Sequence, residues 1–191
     1  MGHTGFGDGQ MPAVFPDWSP YADLESATRA YLRDPDLALD ALAGVLPDGD
    51  VVAFTLERFV SESNCVWQEV AVCDGSRLIL WHGEDLAPGD GPSGSMTSSI
   101  RVVPLSQVTE VGTRRRLQRA PDGTPRVDAV DVYVLLGSLD DGGDGADDYT
   151  STQLRQDALR FVKTIEDGGP GQISRLEEFA RTVSALIGRP F

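Results

Sequence analysis

Residues 172–187 constrain the fold more than any other stretch. Ile173, Leu176, Phe179, Ala180, Val183, Leu186 and Ile187 recur at steps of three and four, which on a helix gathers them into one apolar stripe. Arg175, Glu177, Glu178, Arg181 and Ser184 fall on the opposite side. Gly168-Gly169-Pro170-Gly171 cannot continue a preceding strand and marks the start, while Gly188 and Pro190 mark the stop. Such a helix must bury its stripe against an apolar surface, and the segments before it, from Val51 onward, read as strands. The expected class is therefore α+β, a sheet closed by one C-terminal helix.

The strands are legible because the apolar period changes to two at Val51. Val52, Phe54, Leu56 and Val60 alternate with Thr55 and Glu57, then Val66, Val70 and Val72 alternate with Glu69. Asp74-Gly75 reads as a hairpin turn into a third strand carrying Leu78, Leu80 and Trp81. A polar loop over 85–97 leads to a short strand at Ile100 to Val103, a Pro104-Leu105-Ser106 step, and a strand from Val108 towards Leu117. After the Pro121-Asp122-Gly123 turn, Val127 to Leu136 places Val130, Val132, Val134 and Leu136 on one face. Tyr133 and Leu135 take the other, so cover is expected on both sides. The seventh strand runs from Ala158 to about Thr164.

Upstream, residues 1–18 are rich in Gly and Pro without periodicity and are expected to form a tail. Ser19 with Pro20 predicts a helix start running to about Arg33, and Asp34-Pro35 predicts a second helix to Val45. Residues 19–46 are thus a helical pair added ahead of a domain spanning 51–191.

The net charge of -14 opposes nucleic acid and anionic membranes alike, since both require basic residues to meet phosphates. No apolar run approaches the roughly 20 residues needed to cross a bilayer, and residues 1–10 lack the features of a secretory signal, so a cytoplasmic protein is expected. Lys163 is the only lysine, a bias towards Arg that reads as a high-GC, actinobacterial genome. Cys65 and Cys73 at opposite ends of one strand would stand about 26 Å apart, too far for a disulfide.

The order of elements resembles the pleckstrin-homology-like fold, in which seven strands in two nearly orthogonal sheets are closed at one end by a C-terminal helix. The carriers are Leu78-Ile79-Leu80-Trp81 and the run Ile100-Arg101-Val102-Val103-Pro104-Leu105-Ser106-Gln107-Val108, which is similar to the bacterial members. The resemblance implies a seven-stranded antiparallel, partly open barrel capped by the helix, acting as a non-enzymatic binding or adaptor module. The whole chain also resembles a small actinobacterial family of unknown function, some members of which carry a phosphodiesterase label.

Two clusters could carry chemistry. His82, Glu84 and Asp85, at a strand-to-loop junction, offer three ligands to a divalent ion and hence an alternative reading as a metal-dependent phosphodiesterase. Only His3 and His82 are present, few for a two-metal site, so no metal cofactor is the primary expectation. Arg114, Arg115 and Arg116 form the basic cluster of an acidic chain and the expected ligand-binding residues, for a protein partner or an anionic ligand. On a strand Arg114 and Arg116 share a face and Arg115 points away, so at most two grip one anion. The loop Ser61-Glu62-Ser63-Asn64 has no basic residue where membrane-binding pleckstrin-homology domains carry theirs, so phosphoinositide binding is not expected. The acidic stretch 140–148 aligns with a calcium loop but lacks its terminal Glu, Ser151 standing there.

Overall fold

Where the apolar period shortens, helix gives way to strand. The computed structural model describes residues 16–46, 51–87, 89–92, 94–137 and 158–187. Helices α1 (Leu24–Tyr31) and α2 (Pro35–Ala43) come first. Seven strands follow: β1 (Ala53–Val60), β2 (Val66–Cys73), β3 (Arg77–Asp85), β4 (Met96–Pro104), β5 (Val108–Arg119), β6 (Pro125–Leu136) and β7 (Ala158–Thr164). One 3-10 turn at Leu105–Gln107 separates β4 from β5, and α3 (Ile165–Leu186) follows β7 directly.

The strands form two antiparallel sheets, β1-β2-β3-β4 and β5-β6-β7. Among the described residues no ladder joins them, so the sheets do not close into a barrel. Ala71, Cys73, Leu78, Leu80 and Val103 of the first sheet meet Val130, Val132, Val134 and Phe161 of the second and the stripe of α3. Within that stripe Ile173, Leu176, Phe179, Ala180 and Val183 are buried, each large side chain contributing about 1.5–3 kcal/mol as an upper bound. The other face of β1, β2 and β3 is also apolar. Phe54, Leu56, Val70, Val72, Ile79 and Trp81 pack against Trp18, Ala27, Tyr31 and Leu42. The helical pair therefore covers the outer face of the first sheet, and Leu78-Ile79-Leu80-Trp81 is buried throughout because it has cover on both sides.

Three sequence expectations need correction. The first helix is capped by Asp23, whose carboxylate accepts the Ser26 N–H at 2.7 Å, and not by Ser19. Ser19 instead gives its N–H and hydroxyl to Asp17, both at 2.9 Å, which holds residues 17–21 as a turn. The last helix begins seven residues before Gln172 because Thr164 caps a first turn by accepting the Asp167 N–H at 3.0 Å. Gly169, at φ 68°, then breaks the axis ahead of Pro170, and the periodic stripe follows that kink. The third concerns β6, whose second face, with Ala129 buried and Tyr133 half-buried, is only partly covered. Val130, Val132 and Val134 are fully buried while Leu135 is exposed. Gly188, Pro190, residues 1–15 of the tail expected over 1–18 and the stretch 140–148 lie outside the described residues, while Trp18, expected in that tail, is fully buried. Cys65 and Cys73 are both free thiols.

Candidate functional site

Alternation along β3 separates the proposed metal ligands. His82 Nε2 lies 3.5 Å from a Glu84 carboxylate oxygen, and its ring meets Trp67 edge-on with centroids 5.4 Å apart. Asp85 is held away from both. It takes the two terminal nitrogens of Arg33 at 2.6 Å each and the Val66 N–H at 2.8 Å. The trio does not converge, and among the described residues no three His, Cys, Asp or Glu side chains are grouped to hold a metal ion. The Ser61–Cys65 hairpin is a tight turn with Asn64 at φ 60°.

The arginine strand behaves as alternation requires. Arg114 donates to Asp131 at 2.7 Å and Arg116 to Asp128 on β6, whereas Arg115 reaches Glu177 of α3. Arg160 of β7, which sequence reading missed, donates twice to the same Asp131, at 2.9 and 2.6 Å. Its guanidinium, with that of Arg114, holds the Asp131 carboxyl below the usual range. These side chains, with Ala129 and Val162 as floor, line a cavity of about 390 Å³ on one face of the second sheet. On the other side of β5 a second groove of about 380 Å³ runs between the strand and α3, lined by Thr113, Arg115, Glu177 and Arg181. Between the two grooves lies the backbone edge of β5, which among the described residues pairs only with β6. A signal for Asp131 was available: it alternates with Val130 and Val132, so it must face away from the core beside Arg114, its partner in register.

A third cluster was not anticipated. Lys163 is 3% exposed, its ammonium 3.3 Å from the Tyr31 hydroxyl and 5.1 Å from that ring's centroid. Burial pushes the lysine down and the Tyr31 phenol up. Glu57 on β1 and Glu69 on β2 stand opposite each other in register, and burial of their carboxyl groups pushes them up to about 7 and about 8. Trp81 is core, its indole N–H given to Ser98 at 2.9 Å, while Trp67 is half-buried at the rim.

Comparison with protein-family models, with curated proteins and with solved structures finds no match. Among the described residues no helix is long and apolar enough to cross a membrane.

Proposed function

We propose that this chain is a non-enzymatic binding module of pleckstrin-homology-like fold, working in the cytoplasm, that captures an extended acidic segment of a partner protein along β5. The observation that carries this reading is the edge of β5, flanked by arginines on both of its faces. An edge strand offers unpaired backbone groups to an incoming strand, and side chains of that strand alternate between the two faces. One set would meet Arg114 and Arg116, and the other Arg115 and Arg181. Three consecutive arginines, which cannot all grip one anion, are therefore well placed to read an acidic strand. β5 is 12 residues long, about 40 Å at 3.4 Å per residue, enough for a segment of ordinary strand length.

Charge supports the choice of partner. A chain of net charge -14 repels acidic proteins everywhere except at such a patch, so the patch would select both partner and register. The guanidinium groups already have carboxylate partners, but Arg114, Arg115 and Arg116 are more than half exposed. Exposed pairs of this kind are weak, so Asp128 or Glu177 can be exchanged for an incoming carboxylate at small cost.

The test is affinity capture with a photo-reactive residue at Thr113. A partner cross-linked there by the otherwise native protein, and lost with Arg114→Glu/Arg116→Glu and with Arg115→Glu, supports the reading. Capture that is unchanged in both folded variants overturns it.

A further inference from the structure

β1 is an edge of the first sheet and β7 an edge of the second. A side chain joins them. The Glu57 carboxylate on β1 accepts the Val162 N–H of β7 at 2.5 Å, across 105 residues of sequence. This satisfies a backbone donor on an edge strand that a ladder would otherwise have paired. Opposite Glu57 on β2 is Glu69. Directly opposed residues on neighbouring strands have Cβ atoms about 5 Å apart, close enough for two half-buried negative charges to repel.

The surroundings treat the two carboxyl groups differently. Lys163 and Arg160 offset the charge of Glu57, whereas the charge acting on Glu69 is that of Glu57 itself. The groups facing the pair are Lys163 and Arg160 of β7, Asp131 of β6, Tyr31 of α1 and, opposite Glu69 in register, His82 of β3. Asp167 of α3 also acts on Lys163. One ionised carboxylate is well provided for in this setting, and two are not.

We propose that Glu57 and Glu69 hold one proton between them at neutral pH, and that losing it loosens the seam between β1 and β7. With the proton present, Glu69 is neutral and Glu57 keeps both its cations and the Val162 N–H. Once both are ionised, repulsion draws one carboxylate towards water, and release of Glu57 strips Val162 of its acceptor. Burial raises both groups above their ordinary range. The folded state thus retains protons that the unfolded chain has released, and the stability they contribute is lost as pH rises through about 7 to 8. Because the protons belong to the pair, two coupled steps are expected and not two independent titrations.

The experiment is a titration of the whole chain, from about pH 6 to about pH 9, following the side-chain carboxyl carbons of Glu57 and Glu69 by NMR. Exchange of the Val162 amide is followed in parallel, corrected for its intrinsic pH dependence. The result expected is titration of the pair within that range, with Val162 protection falling about tenfold or more as it proceeds. In Glu69→Gln, Val162 protection is expected to stay flat over the same range. Titration of both groups in the ordinary carboxylate range, or equal Val162 protection at the two ends in the native protein, overturns the proposal. Should Glu69→Gln fail to fold, the native titration decides alone.

Discussion

Asp85 binds Arg33 through both carboxylate oxygens, at 2.6 Å each, although 52 residues separate them. Arg33 lies in the link between α1 and α2 and Asp85 ends β3, so this pair fastens the helical pair to the sheet. Gln68 of β2 strengthens the same junction by accepting the Arg33 N–H at 2.7 Å. Asp85 also caps the Val66 N–H, so one side chain ties three elements. Asp85→Ala should cost about 1–3 kcal/mol, since it takes their acceptor from the two terminal nitrogens of Arg33 and from the Val66 N–H. Urea unfolding checks this, and His82→Ala, whose partner Glu84 is an exposed rim residue, should cost much less.

The same pair predicts behaviour in acid. Hydrogen bonding by Arg33 holds the Asp85 carboxyl below its ordinary range. Its contribution is therefore complete above the ordinary carboxylate range and is lost as pH falls through the lower folded value. Asp85→Asn should flatten the acid limb of the stability curve relative to the native protein, which unfolding at a series of acid pH values would show.

Trp18 is fully buried and shares the guanidinium of Arg175 with Phe54, the cation lying 5.7 and 5.0 Å from the two ring centroids. This stack joins the N-terminal segment to both α3 and β1. Trp18→Ala should cost about 3–5 kcal/mol. Trp18→Phe should cost far less, because among the described residues the indole N–H is buried without a partner and its removal relieves that desolvation. Thermal unfolding of the two variants separates the outcomes.

How much of this was legible depends on range. The period of two, the Asp74-Gly75 turn and the stripe of α3 are local patterns, and each gave its element correctly. The alternation of Arg114, Arg115 and Arg116 across β5 was readable for the same reason. Caps were less secure: Ser19-Pro20 has the composition of a helix start, yet Asp17 takes the Ser19 donors and Asp23 wins the cap. What the pattern could not supply is the pairing of distant strands. Arg160 meeting Asp131, and Glu57 meeting Val162, depend on how β7 lies against β6 and β1, which no local period encodes. Asp85 cannot join His82 and Glu84 because neighbours on a strand point to opposite faces.

Lys163 supplies the last prediction. It is the only lysine, it is buried, and its charge lowers Glu57 while Glu57 and Asp167 raise it. Lys163→Met keeps the length of the side chain and removes the ammonium. Below neutrality, where the Glu57–Glu69 pair is protonated, the variant loses an expensive buried charge and should be about as stable as the native protein. From neutrality upward Glu57 must carry its charge without its strongest cation, so its titration moves upward and the deficit should reach about 1–3 kcal/mol. The variant's stability should therefore go on falling to higher pH than that of the native chain, since the gap between the folded and unfolded pKa of Glu57 has widened. Urea unfolding at two pH values, one on each side of neutrality, reads this difference. A deficit of equal size at both would mean that Lys163 acts through packing against Tyr31 and not through its charge on Glu57.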